Sequence, residues 1–115
     1  MNALELAHEI VDILEEKKGE DILLLDIHEA AIFTDYFVIA TGTSDRMLDA
    51  LAKAISDDLR KKHRMKSKTP EGQARDGWLL MDYGDVIVHL FSPDQRLYYG
   101  LENLWNEGKV LVRLQ

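Results

Sequence analysis

Trp78-Leu79-Leu80-Met81-Asp82-Tyr83-Gly84-Asp85-Val86-Ile87-Val88-His89-Leu90-Phe91 reads as two apolar strands folded back on each other through Asp82-Tyr83-Gly84-Asp85. The strands are apolar at nearly every position rather than alternating, which means that both faces of the sheet holding them are covered. The hairpin therefore belongs inside a sheet with helices packed on it. Two registers are open. A two-residue loop over Tyr83-Gly84 sets Asp82 opposite Asp85 and Trp78 opposite His89. A type I turn over residues 81–84, with Gly84 left-handed in a bulge, sets Met81 opposite Asp85. The second is expected, because a positive φ is costly for tyrosine and cheap for glycine. The choice decides which face of the sheet Trp78 occupies.

The chain has 115 residues, 46% of them hydrophobic, enough for one domain spanning residues 1–115 that buries roughly two-thirds of its unfolded surface. It contains no cysteine, which removes disulfides, thiolate metal sites and thiol nucleophiles and suits a reducing cytoplasm. Met1 leads into a polar amphipathic segment, and no apolar run approaches the ~20 residues of a membrane span. A soluble cytoplasmic protein without a membrane partner is expected.

Net charge is −7, unevenly spread. Arg60, Lys61, Lys62, Arg64, Lys66 and Lys68 place six cations in nine residues with no acid among them, leaving 8 basic against 21 acidic side chains elsewhere, a balance of −13. A mostly acidic surface repels nucleic acid at long range and favours a basic protein partner, so sequence-specific nucleic-acid binding is not expected. The cluster has two readings, a solvated helix C-terminus that complements the helix dipole, which is the simpler, or a local phosphate contact.

Working outward, Asn2 and Glu5 resemble a capping box ahead of a first helix whose Ala3, Ala7, Ile10, Val11 and Leu14 share one face. Ile22-Leu23-Leu24-Leu25 is a short buried strand, residues 27–34 a connection, and Tyr36-Phe37-Val38-Ile39-Ala40-Thr41 a second strand. Ser44 caps a long helix with Met47, Leu48, Leu51, Ala52, Ile55 and Leu59 inward, stopping near His63. Residues 64–69 alternate in the manner of an edge strand, broken by Pro70-Glu71-Gly72, and residues 73–77 form a polar loop. Ser92-Pro93-Asp94-Gln95 opens a helix carrying Leu97, Tyr98, Leu101, Leu104 and Trp105. Val110-Leu111-Val112-Arg113-Leu114 adds a last strand. The fold class is α/β, a single domain with a mixed sheet of about five strands and helices packed on it.

Sites for chemistry are sparse. His8-Glu9 and His28-Glu29 begin like a zinc-protease helix but lack the second histidine four residues on, so no metal is expected. His89 reads as a satisfied core histidine. Gly42-Thr43-Ser44 at a helix start is where a nucleotidyltransferase seats a triphosphate, but the paired strand carboxylates that would hold magnesium are missing, since no Asp-x-Asp, Glu-x-Asp, Asp-x-Glu or Glu-x-Glu occurs in the chain. The turn and cap explain Gly42 and Ser44 without a ligand; an enzyme using them is the alternative reading. No catalytic residue and no cofactor is expected. Large aromatics, in contrast, gather near turns and helix ends: Tyr36, Trp78, Tyr83, Tyr98, Tyr99 and Trp105. Adjacent Tyr98 and Tyr99 point about 100° apart on a helix, so one of them reaches an edge, either as an ordinary surface tyrosine or as an interface anchor.

With these residues laid out, the chain resembles the Iojap family of ribosomal silencing factors. The likeness runs through Thr34-Asp35-Tyr36-Phe37-Val38-Ile39-Ala40-Thr41-Gly42-Thr43-Ser44, Glu71-Gly72, the 78–91 hairpin and Tyr98-Tyr99-Gly100-Leu101-Glu102-Asn103-Leu104-Trp105, in the family's order over nearly the whole length. The resemblance implies a nucleotidyltransferase-like fold without catalysis, a homodimer in solution, and binding to the large ribosomal subunit through its universal protein numbered fourteen. The resemblance further implies that the bound protein would obstruct the small subunit when nutrients are scarce. Such a role asks for an interface of roughly 800 Å² per partner rather than an active site. On this resemblance the partner-binding residues are Trp78, Asp82, Tyr98, Leu101, Glu102 and Trp105, with Asp35 and Tyr36 in support. Asp82 and Glu102 would meet basic side chains, and a core role explains Trp78 equally well.

Overall fold

The computed structural model of the chain describes residues 1–104 and 108–115, with Leu104 by its backbone alone; the expected contact residue Trp105 lies outside them. Six strands, β1 (Glu20–Asp26), β2 (Tyr36–Thr41), β3 (Glu71–Gln73), β4 (Trp78–Asp82), β5 (Val86–Phe91) and β6 (Lys109–Leu114), form one sheet in the order β3-β4-β5-β2-β1-β6. β2 and β5 run parallel, and every other neighbouring pair is antiparallel. The 78–91 hairpin lies toward the middle, as its apolar strands require.

Helices α1 (Ala3–Glu16) and α2 (Asp45–His63) cover one face. Asn2 and Glu5 form the reciprocal capping box, and Ser44 Oγ accepts from the amide of Met47 at 3.0 Å. Leu6, Ala7, Ile10, Val11 and Leu14 of α1 and Leu48, Leu51, Ile55 and Leu59 of α2 then bury a shared stripe against Leu24, Val38, Ala40, Met81, Val88 and Leu90. The opposite face carries Leu23, Leu25, Phe37, Ile39, Ile87 and Phe91, overlaid by Ile27 and Ala31 of the 27–35 connection. That connection folds on itself, with Ile27 O accepting from Ala30 and Ala31 and Ile27 N donating to Asp35 O, each at 2.9 Å. Because strand side chains alternate, the two faces are separate apolar cores divided by the sheet.

The structure corrects four readings. The hairpin takes neither expected register: Trp78 faces Phe91, Leu80 faces His89 and Asp82 faces Ile87. The loop is Gly84-Asp85, with Tyr83 N donating to Val86 O at 2.9 Å and only Gly84, at φ +83°, left-handed. Glycine at the first central position of a two-residue hairpin loop is the type II′ preference, whose twist suits the strands. Second, residues 64–69 form no strand; the edge strand is β3 beyond Pro70, giving six strands rather than about five. Third, residues 74–76 of the expected polar loop wind into a 3-10 turn. Fourth, the helix after Ser92 is broken at Gly100 (φ +55°) into α3 (Pro93–Tyr99) and α4 (Leu101–Leu104). The last strand forms as read, one residue longer.

Candidate partner-docking surface

Trp78 opens β4 on the face opposite α1 and α2, half-buried beside Leu80 and Leu101. Its ring lies 5.2 Å from the fully buried Phe91 and 4.5 Å from Tyr99 of α3, centroid to centroid. The indole Nε1 donates to His89 Nδ1 at 3.1 Å. An indole nitrogen can only donate, so His89 accepts and is the neutral tautomer protonated on Nε2. Burial pushes the His89 pKa down to about 4, and the ring meets Phe37 edge-on at 4.6 Å. His89 is thus a core histidine, as expected, though only one of its nitrogens has a hydrogen-bond partner among the described residues. What it does is fix the tilt of Trp78.

Over this aromatic stack lies α3, started by Ser92 Oγ accepting from Gln95 N at 3.3 Å and by Pro93 at the first helical position. It buries no residue: Leu97 is 85% and Tyr98 79% exposed, while Tyr99 turns back onto Trp78. The expected divergence of the two tyrosines is therefore present, with Tyr98 outward and the ring pair T-shaped at 5.1 Å.

Beside the Tyr99 ring, Arg96 ties α3 to the sheet by hydrogen bonds. Arg96, 11% exposed, donates through Nε to Glu102 Oε1 at 3.2 Å and through Nη1 to Thr41 Oγ1 at 2.9 Å and to the Asp21 carbonyl. It thereby bridges α3, α4, β1 and β2 beneath an open cleft of about 340 Å³ lined in part by Glu20, Leu97 and Arg113. Glu102 faces inward onto Arg96, and its buried Oε2 makes no hydrogen bond among the described residues.

The expected contact residues fall into two groups. Trp78, Tyr98, Leu101 and Glu102 gather at the α3 end of the sheet. Asp35, Tyr36 and Asp82 sit at the other, where Asp35 N and Tyr36 N both donate to Asp85 O. The length of β4 separates the groups by about 13 Å. Asp82 alternates onto the Trp78 face, and its Oδ1 accepts from Gly84 N at 2.8 Å. Tyr36 packs on the opposite, helix-covered face, away from Trp78, and its phenol pKa is raised by partial burial and by the nearby Asp26 and Asp35. Arg96, His89 and Phe91 were not singled out for this surface by sequence, and Tyr99 only as one of the two adjacent tyrosines. The Arg96–Glu102 spacing of six matches no helical period, and it works because Gly100 breaks the helix between them.

Gly42 and Ser44 behave as turn and cap: Gly42 N donates to Phe91 O at 2.9 Å, and Leu48 fills the space beside Gly42. Among the described residues no group of three or more histidine, aspartate or glutamate side chains is placed to hold a metal, and no helix is long and apolar enough to cross a membrane.

The model of the RsfS family, "Ribosomal silencing factor during starvation", matches residues 1–114. The Bacillus subtilis ribosomal silencing factor RsfS is 41% identical over 94 residues, 82% of this chain and 79% of that protein. The chloroplastic protein Iojap of Arabidopsis thaliana is 34% identical over 92% of this chain and 44% of its own longer length. A crystal structure of a Chromobacterium violaceum protein superposes with a TM-score of 0.84 at 35% identity, covering 92% of this chain and 88% of that one. The chain belongs to the RsfS family of ribosomal silencing factors, to which the protein Iojap is also related.

Proposed function

We propose that the chain represses translation by docking on the large ribosomal subunit, through its universal protein numbered fourteen, and obstructing the small subunit by bulk. The observation that carries this reading is α3, a helix with no buried side chain that holds Leu97 and Tyr98 in solvent while Arg96 and the Trp78–Tyr99 stack fix it from below. Exposed large apolar groups on a fixed support are what a binding hot spot needs, because little further ordering is required on contact. Leu97, Tyr98, Trp78 and Leu101 form the proposed centre. Asp82 and Asp35 lie within the span of an interface of roughly 800 Å² per partner and supply acidic rim contacts to a basic ribosomal protein. Glu102 acts through Arg96 rather than by meeting the partner. The same proposal includes a homodimer in solution, which sedimentation equilibrium checks.

The deciding experiment is co-sedimentation of the purified chain with separated large and small subunits, alongside subunit reassociation followed by light scattering. The chain should pellet with large subunits alone and slow reassociation, and Tyr98→Ala should lose both effects. Equal pelleting of Tyr98→Ala and the unaltered chain would remove α3 from the interface; no pelleting of either would sink the reading.

A further inference from the structure

Six cations in residues 60–68 are more than the end of a helix needs. Only Arg60, Lys61 and Lys62 belong to α2, where the last carbonyls attract positive charge. Arg64, Lys66 and Lys68 lie beyond it on an irregular segment, so the helix dipole does not explain them. Acidic neighbours neutralise part of the cluster: Arg60 stands 3.6 Å from Asp57, and Lys62 and His63 stand 3.9 Å and 3.4 Å from Glu9. Lys61, Arg64, Lys66 and Lys68 make no ion pair within 4.0 Å among the described residues, and all four are exposed.

The backbone that presents them is fixed. Arg64, left-handed at φ +56°, donates its amide to Arg60 O at 3.0 Å; Met65 N reaches Leu59 O at 3.4 Å, and its side chain packs on the helix-covered core. Lys68 N donates to the partly buried hydroxyl of Ser56 at 2.8 Å, and Lys68 Nζ sits 5.6 Å above the Tyr83 ring. Between this segment and the β4–β5 turn runs an open groove of about 540 Å³, lined by Lys66, Ser67, Lys68 and Tyr83, with Asp82 its one carboxylate.

From this arrangement we infer that residues 60–68 form a phosphate-contact surface for an RNA backbone, read without regard to base sequence and used while the α3 surface holds a ribosomal protein. The inference rests on the docking reading above. RNA is the fitting partner because the rest of the chain, at −13, repels a polyanion and turns only this end toward it. The centre of the α3 surface lies near the other end of β4, about 13 Å along the strand, so Asp82, at the rim of the one and the edge of the other, is the residue the two contacts share. Cations on a pinned segment lose little freedom when they meet phosphates, which a dangling lysine tail would.

The test uses the full chain and the variant Lys61→Ser/Arg64→Asn/Lys66→Ser/Lys68→Ser, in which asparagine tolerates the left-handed position. Binding to large subunits is measured between 50 and 200 mM salt, and binding to polyuridylate at low salt by fluorescence anisotropy. Each phosphate contact contributes about 0.7 to 0.9 to the slope of log affinity against log salt, so the variant should show a slope shallower by about 3 and lose polyuridylate binding. If the fourfold variant unfolds, Lys61→Ser/Lys66→Ser should still remove about half of that slope. An unchanged slope in a folded variant, or no binding of the unaltered chain to polyuridylate, overturns the inference. A chain that binds polyuridylate through these residues but ignores large subunits upholds the phosphate surface and sinks the docking proposal instead.

Discussion

Trp78 and His89 sit on neighbouring strands but not opposite one another: Trp78 faces Phe91, and its indole N–H reaches diagonally to His89 Nδ1 at 3.1 Å. Diagonal neighbours on one face of a sheet are about 7 Å apart at the backbone, within reach of an indole. The hydrogen bond requires an unprotonated Nδ1, which makes the seating of Trp78 sensitive to acid.

The His89 pKa is pushed down to about 4 in the folded chain against an ordinary 6.5. Between those values the unfolded chain binds a proton that the native chain does not, so this histidine makes stability rise with pH. The contribution is complete above pH 6.5 and lost as pH falls toward 4, on the order of 3 kcal/mol. His28 acts in the opposite sense: hydrogen bonding to Asp26 raises its pKa, so its stabilisation is present below 6.5 and fades as pH climbs through the raised value. Urea midpoints at intervals from pH 4 to 7 should therefore fall on acidification, and His89→Asn should flatten that fall while His28→Asn should not. An equally steep fall in His89→Asn would show that acid acts elsewhere.

Tyr98 and Tyr99 are adjacent and should behave differently. Tyr98 is 79% exposed and touches little but its neighbour, so Tyr98→Ala should change stability by less than about 0.5 kcal/mol. If it anchors a partner, affinity for large subunits should fall by about 2 kcal/mol or more, roughly thirtyfold. Tyr99→Ala removes a ring packed on Trp78 and Phe91 and should cost about 1 to 2 kcal/mol of stability as well. Thermal melts and binding titrations on both variants separate these outcomes, and a large loss of stability in Tyr98→Ala would place its ring in the core.

The Arg96–Glu102 pair predicts a non-additive cycle. Arg96→Ala strands a largely buried carboxylate and unties α3 from Thr41 and Asp21, at a cost of about 3 kcal/mol. Glu102→Gln keeps an acceptor and should cost less than half as much. Because both changes act on one contact, the double variant should be more stable than the sum of the two losses implies, by about 1 kcal/mol or more. Additive losses in urea unfolding would mean that the two side chains do not depend on each other.

The sheet and its two long helices were legible because each element announces itself locally. Unbroken apolar runs marked strands covered on both faces, and Asn2, Ser44 and Ser92 marked helix starts that the structure reproduces to the residue. The hairpin register was not legible, because Gly84 satisfies a turn at more than one position and the choice depends on strand twist rather than local composition. Residues 64–69 looked like an edge strand because their lysines alternate, yet Met65 is held at the end of α2 and pairing begins only after Pro70. At the candidate surface, Trp78 and Tyr98 were visible as large aromatics near turns. Arg96 was not, since its partners Thr41 and Asp21 lie 55 and 75 residues away. Long-range polar contacts of this kind leave no periodic trace.

Two glycines with similar backbones carry unequal loads. Gly84 (φ +83°) and Gly72 (φ +91°) are both left-handed, so alanine at either position is strained by about 1 to 2 kcal/mol. At Gly84 an added methyl group meets nothing within 4 Å; at Gly72 it would stand 2.5 Å from the carbonyl oxygen of Trp78, a backbone atom that cannot yield without moving β4. Gly72→Ala should thus cost at least about 2 kcal/mol more than Gly84→Ala, through loss of β3–β4 pairing. Because Gln73 pairs with Trp78, the displaced strand should also weaken docking and shift tryptophan emission, neither of which Gly84→Ala should do. Melts and emission spectra of the two variants decide the matter, and equal costs with unshifted emission would show that β3 contributes nothing to the placement of Trp78.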